Sequence, residues 1–230
     1  MRSLFARLLR FILLLASLWV AVTASVVGIF RWVDPPTSAF ILRERMTNPG
    51  MDVRHRWIDW NHIAGPMKVA VIAAEDQTFP QHRGFDFESI GKALDERGRG
   101  RVRGASTISQ QVAKNLFLWN GRSWLRKGLE AYFTVLIELF WSKPRILEVY
   151  LNVAEFGPGI YGVEAASHAF FRKPAARLTS SEAALLAAVL PNPKRLRANA
   201  PTPYVQSRQE WIMGQVRSLG GTDAVLRKIE

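Results

Sequence analysis

The most apolar stretch of the chain lies near its N-terminus. Residues 11–30, "FILLLASLWVAVTASVVGIF", carry no charge, and twenty residues at helical rise cover roughly 30 Å, the thickness of a bilayer's hydrocarbon core. The run is preceded by three arginines and no acid: Arg2, Arg7 and Arg10. The positive-inside rule therefore predicts a cytoplasmic N-terminus at 1–10 and a membrane anchor at 11–31. A cleaved signal peptide, the competing interpretation, has a shorter apolar core of roughly 7–15 residues.

Beyond the anchor, apolar residues recur at helical spacing. Residues 32–62, rich in Pro, Asn and Gly, predict a juxtamembrane connection, and 63–230 predict one mostly α domain without a strand series. The predicted helices, with their capping signals, are "PMKVAVIAAE" beginning near Pro66 and ending between Glu75 and Phe79, "FESIGKAL" after Asp86, "STISQQVAKNLFL" capped by Ser106, "SWLRKGLEAYFTVLIELFW", "SKPRILEVYLN" after Ser142, and "TSSEAALLAAVLPNP" with Thr179 and Glu182 at capping-box spacing.

Composition and charge narrow the choice of compartment and partners. The chain has no cysteine, so disulfides and thiolate metal sites are excluded, and an oxidising periplasm poses no hazard. Its net charge is +12, which favours anionic lipid, phosphate or nucleic acid as partners. The basic loop predicted at 95–105, "GRGRVRG" at its centre, matches neither a Walker pattern nor a dinucleotide-binding fingerprint.

The stretch "AAEDQTFPQHRGFD" contains the first candidate for chemistry. Glu75 closes an apolar helix, and a carboxylate at the end of a buried helix is partly desolvated, which raises its pKa and makes it a competent general base. The alternative is that the acid only marks where the helix reaches water. The Phe-Pro break after it turns the chain sharply, so that the carboxyl group faces a cleft.

Cations and amides follow in the next segments. Lys114, Arg126 and Lys127 accompany Thr107, Gln110, Gln111 and Asn115. Cations and amides gathered near an acid suit a leaving pyrophosphate, whose developing charge they neutralise. Each cation taken alone is more typical of a solvated surface.

Five motifs stand in order along the chain: "EDQTFPQHRGFD", "GASTISQQVAKNLFL", "RKGLEAYFTVLIE", "ILEVYLNVAEFGPGIYGVEAA" and "LTSSEAALLAAVLPNP". Over residues 53–200 this order resembles the peptidoglycan glycosyltransferases, and most closely their monofunctional, membrane-anchored members. The resemblance implies a lysozyme-like, mostly helical fold with a lobe pressed against the membrane. The segment "LFLWNGRSW" suits such insertion while Arg122 stays in water, although ordinary core is an equal alternative.

The resemblance also implies roles for individual residues. Glu75 falls at the position of the catalytic base, and Glu130 at that of a second essential carboxylate. Implied substrate contacts are Asp76, Phe79, His82, Thr107, Gln111, Lys114, Asn115, Arg126 and Lys127. The fourth motif, Glu148 to Tyr161, and the fifth, Glu182 to Pro191, are mainly architectural. The family usually reads Gly-Gly-Ser-Thr in the second motif, and here Ala105 replaces the second glycine. Alanine restricts the backbone there if the position needs a positive φ.

The activity implied is the polymerisation of lipid II into β-1,4-linked glycan strands, with inversion at the donor carbon. The implied location is the outer face of a bacterial inner membrane, with the catalytic domain in the periplasm, lipid II, nascent glycan and membrane as partners and no nucleic acid. The resemblance leaves open whether further cell-wall proteins bind this protein and whether a divalent cation, Mg or Mn, binds near Glu130. Two other classes remain: a lysozyme-like, membrane-anchored hydrolase and a non-catalytic, basic, membrane-tethered glycan binder.

Overall fold

A computed structural model describes residues 2–89, 91, 106–121 and 123–230 of the chain. Helices predominate in these ranges and the strands are short, which confirms the predicted mostly helical class. Some predictions fall outside the described residues: most of the basic loop at 95–105, which includes Ala105, and the position of Arg122.

The N-terminal helix, α1, runs from Arg2 to Ile29. Its stretch Leu4–Ile29 is long and apolar enough to cross a membrane, and 6% of its most apolar part is buried against the rest of the protein. The span predicted at 11–31 lies almost wholly within α1, which continues past the arginines toward the N-terminus. A helix that hides so little of its apolar surface suits a lipid environment.

The segment predicted as a connection, 32–62, has regular structure of its own. It contains α2 (Ala39–Thr47), β1 (Arg54–His55) and a 3₁₀ turn at Trp60–His62. The Ser38 side chain caps α2 by accepting a hydrogen bond from the backbone of Ile41. Ile41 and Glu44 are buried, so α2 packs against the body of the protein.

Most helices of the body follow the predicted pattern. They are α3 (Gly65–Glu75), α4 (Ile108–Phe117), α5 (Trp124–Phe140), α6 (Lys143–Val153) and α8 (Ser180–Val189). Ser142 and Thr179 act as the predicted N-caps, and Asp86 caps the helical residues 87–89 by accepting from the Ser89 backbone. The predicted cap at Ser106 is wrong: Thr107 caps α4 and forms a capping box with Gln110, because its hydroxyl lies one residue closer to the helix.

Other elements were not predicted. They are α7 (Val163–Phe171), α9 (Pro203–Ser218), α10 (Gly221–Leu226), β2 (Glu155–Gly157), β3 (Ile160–Tyr161) and a 3₁₀ turn at Ala175–Arg177. The strands form a small sheet of order β1-β3-β2, with β1 parallel and β2 antiparallel to β3. Strands of two or three residues are too short to show an alternating pattern.

The helices pack in two neighbouring groups. α3 is buried along most of its length and packs on α8, α9 and α10, whereas α4 packs between α5 and α6. The C-terminus of α3 meets the N-terminus of α4, where the Asp76 carboxylate accepts a hydrogen bond from the Ile108 backbone at 2.9 Å. Asp76 and Ile108 are 32 residues apart in the chain, so this bond joins the first two motifs.

The C-terminal part of α1 packs against α5 and the residue that follows it, Trp141. The indole of Trp141 donates to the Val27 carbonyl oxygen at 2.7 Å, and the hydroxyls of Thr23 and Tyr132 share a hydrogen bond of 2.7 Å. Trp19 packs on the Tyr132 ring at 4.8 Å between centroids. The anchor helix therefore contacts the same helix, α5, that carries the third motif.

Candidate active site

Glu75 is the last residue of α3 and lies in a largely dry environment. Its side chain is 15% exposed; one carboxylate oxygen accepts from the Gln111 side-chain amide at 3.0 Å, and the other lies 3.6 Å from the Arg208 guanidinium. Burial raises the pKa of Glu75, while the Gln111 hydrogen bond and the charges of Arg208 and Lys114 act in the opposite direction. The carboxylate is thus shielded from water, and the net effect is a raised pKa that its polar neighbours offset only in part.

Gln111 fixes the orientation of this carboxylate. Its amide nitrogen donates to Glu75, and its amide oxygen accepts from the Tyr150 hydroxyl at 3.3 Å. Tyr150 is 1% exposed, and burial raises the pKa of its hydroxyl well above the ordinary value. The hydroxyl therefore stays protonated and acts as a donor, so the chain of bonds runs from Tyr150 through Gln111 to Glu75. The sequence placed Tyr150 only on an apolar helix face and gave no sign of this polar contact.

Asp76 faces the interior and organises the turn after α3. It accepts from the Ile108 backbone and from His82 Nε2, the latter at 2.9 Å. His82 Nδ1 accepts from the Gly84 backbone, so the ring proton sits on Nε2, which donates to Asp76. Gly84 has a φ of +88°, and a Cβ atom there would lie 2.8 Å from the Thr134 side chain, so glycine lets the turn approach α5.

We expect Asp76→Asn to destabilise the fold. An amide has one acceptor oxygen and must present its NH₂ group to either the Ile108 N–H or the His82 N–H, leaving a buried donor without an acceptor. The free energy of unfolding should fall by about 2 kcal/mol, measured by chemical denaturation. Asp223→Asn, at an exposed position of α10, is the matched control, and an equal loss in both variants would contradict this role of Asp76.

Two further residues predicted to bind substrate lie inside the protein. Phe79 is fully buried in the core, with the Lys143 ammonium 4.5 Å from its ring centroid. Thr107 is 2% exposed and donates to the Gly84 carbonyl oxygen at 2.7 Å. Their side chains, like that of Asp76, therefore support the site from within.

Lys114 is the cation with the fewest partners in the site. Within the ranges that the structure describes, no carboxylate lies at ion-pair distance from its ammonium, and the Phe40 ring lies 5.8 Å away. Burial lowers the pKa of Lys114, and the nearby charge of Arg126 lowers it further, whereas Glu130 and Glu75 raise it. A desolvated cation without a counterion is a site for an external anion.

Glu130 is bound on both of its oxygens. Arg126 Nη1 donates to one oxygen at 2.9 Å and the Lys127 ammonium donates to the other at 2.5 Å. Glu130 is 3% exposed and Arg126 is largely buried, while Lys127 is exposed. The carboxylate fixes the two cations of the third motif beside Lys114, to which its charge also couples.

The surroundings of Glu130 do not suit a protein-held divalent cation. Its two oxygens already accept from cationic groups. No cluster of three or more His, Cys, Asp or Glu side chains with metal-binding spacing occurs in the described part of the chain. Hard divalent cations need several oxygen ligands, so we assign no protein-bound metal to this carboxylate.

A cleft of about 390 Å³ opens beside these groups. Gln111, Lys114 and Asn115 line one part of it, so three of the predicted substrate contacts share this space. Glu75 does not itself line the cleft; it is linked to it through Gln111. The remaining lining comes from α2, the segment after α4, the end of α6, the strands β2 and β3, and the loop after α8: Phe40, Arg43, Glu44, Asn120, Tyr150, Val153, Ala154, Glu155, Tyr161, Leu190, Pro191, Asn192, Pro193 and Lys194.

Arg208 lies beside Glu75 but was not among the predicted site residues. It lies on α9, beyond the motif-bearing segment, and is half-buried beside Glu75. A lone arginine on a polar helix is indistinguishable in sequence from a surface cation. Only the packing of α9 on α3 brings it to the carboxylate.

Comparisons with known proteins identify the family of the chain. A family model described as Transglycosylase matches residues 43–217. The chain belongs to the transglycosylase family. The match includes the second half of α2 and most of α9, beyond both ends of the segment 53–200 that carried the resemblance. It also confirms the lysozyme-like glycosyltransferase fold class.

Individual members of the transglycosylase family cover nearly the whole chain. A biosynthetic peptidoglycan transglycosylase of Klebsiella oxytoca is 57% identical over 221 residues, covering 93% of this chain and 90% of the relative. Namesakes from Pectobacterium carotovorum and Xanthomonas campestris are 55% and 53% identical, covering 94% of this chain in each case and 91% and 90% of those relatives. Similarity at this level extends across anchor and body alike.

Proposed function

We propose that this protein is a peptidoglycan glycosyltransferase that polymerises lipid II into β-1,4-linked glycan strands. The observation that carries the proposal is a desolvated carboxylate, Glu75, near a desolvated ammonium, Lys114, which has no carboxylate at ion-pair distance among the described residues. The charge of each group shifts the pKa of the other. A base and an anion-binding cation on adjoining helices are what transfer from a pyrophosphate requires.

Glu75 is the general base in this mechanism. Its carboxylate removes the proton from the 4-hydroxyl of the acceptor's terminal N-acetylglucosamine as that oxygen attacks C1 of the donor's N-acetylmuramic acid. The new C1–O bond forms on the face opposite the departing pyrophosphate, so the configuration inverts. Because Gln111 and Arg208 hold the carboxylate, its lone pair is oriented before substrate binds.

Lys114 and Arg126 neutralise the leaving pyrophosphate. The bond from C1 to the phosphate oxygen breaks with its electron pair, and the product is a stable anion that needs no proton from a carboxylic acid. Glu130 acts through these cations as a positioning residue, since both of its oxygens are occupied by Arg126 and Lys127. Asn115 and Gln111 supply amides to the sugars in the cleft.

Asp76, His82, Phe79 and Thr107 have a positioning role in this proposal. Asp76 and Thr107 hold the start of α4 against the turn that follows α3. Any displacement of α4 moves Gln111 and Lys114 together, so these buried residues set the distance between base and cation.

The protein is anchored to the membrane where lipid II is presented. We place the N-terminus in the cytoplasm and the catalytic domain on the outer face of the inner membrane, as the arginines before the span favour. The segment predicted to insert into the membrane, "LFLWNGRSW", is partly buried and partly exposed. Leu116 and Leu118 are core, whereas Trp119 is 49% and Trp124 93% exposed. These tryptophans suit the headgroup region of the outer leaflet.

The other two function classes are not favoured. A hydrolase of the same fold needs a carboxylic acid to protonate a poor leaving group, whereas the cations near Glu75, Lys114 and Arg208, suit a pyrophosphate that leaves as an anion and needs no such proton. A binding protein without catalysis has no need of a buried base. Membership of the transglycosylase family agrees with synthesis.

The proposal is tested with the detergent-solubilised full chain and fluorescently labelled lipid II. We expect a ladder of long products on a gel, which lysozyme digests to short fragments. The reaction should persist in EDTA, because the site holds its anions with side-chain cations. Intact substrate after prolonged incubation, or cleavage of preformed glycan, would overturn the proposal.

A further inference from the structure

The cleft also contains a carboxylate that the mechanism does not use. Glu155, the first residue of β2, lines the cleft with a side chain that is 18% exposed. Its Oε1 atom is buried and has no hydrogen-bond partner within the ranges that the structure describes. The Lys194 ammonium lies 3.8 Å from this oxygen, too far for a hydrogen bond.

Lys194 is engaged by another acid. Its ammonium donates to both oxygens of Glu44 on α2, at 3.1 and 3.0 Å. Two carboxylates therefore compete for one cation, and Glu155 is the acid left without a donor on Oε1. A buried acceptor without a donor costs free energy that a suitable ligand group would recover.

The charged neighbourhood of Glu155 includes α2, β3 and the loop after α8. The pKa of Glu155 is raised to about 7, mainly by burial and also by the charge of Glu44, although the charge of Lys194 and a hydrogen bond from the Gly159 backbone act to lower it. Tyr161 faces the same group, and its own pKa is raised by burial and by both carboxylates. Glu155 therefore changes between its protonated and its charged form near neutral pH.

One cleft thus combines two unsatisfied groups of opposite character. Among the described residues, Lys114 has no carboxylate at ion-pair distance, and the Oε1 atom of Glu155 has no hydrogen-bond donor. A ligand that satisfies both must carry an anionic group and, separately, a hydrogen-bond donor. A sugar pyrophosphate with hydroxyl, acetamido and peptide groups meets both conditions.

We propose that Glu155 is a specificity-determining residue that accepts a hydrogen bond from an N–H or O–H group of the glycolipid bound in the cleft. The inference rests on the proposed function and assigns a role to a residue of the fourth motif, which otherwise supports the fold. Because Glu155 acts on ground-state binding, its loss should weaken binding of substrate without slowing the chemical step.

The test uses Glu155→Gln and Glu155→Leu in the full-length, detergent-solubilised protein. We expect KM for lipid II to rise at least about threefold in the glutamine variant and about tenfold in the leucine variant, with kcat within about twofold of wild type. In wild type, KM should fall as pH rises through about 7, where Glu155 ionises. In Glu155→Gln this pH dependence should be absent.

Thermal stability separates binding from a structural role. Because Oε1 has no partner, Glu155→Gln should melt at or above the wild-type temperature at pH 8, and the control Glu210→Gln, exposed on α9, should change neither KM nor melting. Wild-type KM in both Glu155 variants, or a lower kcat accompanied by a lower melting temperature, would overturn the inference.

A modified substrate shows which group of lipid II donates the hydrogen bond to Glu155. If the donor is a peptide amine, lipid II with acetylated amines should bind wild type as weakly as it binds Glu155→Gln. If the donor is a sugar group, the difference between the two proteins should persist, and either result supports the inference. A wild-type protein that makes no polymer in the same assay overturns the proposed function itself, so the two failures are distinguishable.

Discussion

Glu75→Gln should lower the rate of lipid II polymerisation by at least about a thousandfold, the loss expected when a general base is removed. Glutamine retains the shape of the side chain and an oxygen that accepts from the Gln111 amide, so the fold should persist. The measurement is the initial rate of polymer formation at saturating lipid II, with circular dichroism as the check on folding.

The pH profile distinguishes a base from a binding residue. Because burial raises the pKa of Glu75, the wild-type rate should rise with pH through a value above that of an ordinary glutamate and then level off, as the carboxylate form accumulates. The residual rate of Glu75→Gln should lack this acid limb. A variant that keeps a tenth or more of the wild-type rate, with the same limb, would show that another group is the base.

Lys114→Gln carries the second largest expected effect. Its ammonium is desolvated and has no carboxylate at ion-pair distance in the described part of the chain, so its charge is free to act on the leaving pyrophosphate. We expect kcat to fall by about a hundredfold, the scale seen when one electrostatic contact to a transition state is removed. The same polymerisation assay measures it.

The variant should also shift the pH profile. The charge of Lys114 lowers the pKa of Glu75, so without it the carboxylate holds its proton to higher pH and the acid limb moves upward. Lys228→Gln, an exposed position after α10, is the control and should change neither quantity. A reduced kcat with an unmoved limb would mean that Lys114 does not share the electrostatic environment of the base.

The membrane anchor and the mostly helical class follow from local patterns. A charge-free run of twenty residues and apolar residues at helical spacing depend only on chain neighbours. The caps at Ser142 and Thr179 are local for the same reason. Glu75 was a candidate because a carboxylate at the end of a buried helix is partly desolvated, and the ordered motifs supplied the context that separated it from an ordinary helix end.

Local sequence patterns did not reveal the contacts among the site residues. Tyr150 reads as an apolar position of α6, Arg208 as a surface cation of α9, and Glu155 as part of a turn. Their roles arise from packing between segments far apart in the chain: Tyr150 lies 39 residues from Gln111, and Lys194 lies 150 residues from Glu44. No periodicity records such pairings.

The sequence alone determined the anchor and the helical class and predicted Glu75 and the cations of the second and third motifs as site residues, because these predictions depend on residue type, local spacing and the order of the motifs. Only the tertiary structure decided which of these residues face inward and which face the cleft. Asp76 and Thr107 are turned inward to join α3 to α4, whereas Lys114 and Glu155 line one cleft, where the Oε1 atom of Glu155 has no hydrogen-bond donor among the described residues. The physical reason is that desolvation and partner choice are properties of the packed protein, set when distant helices exclude water from the same space.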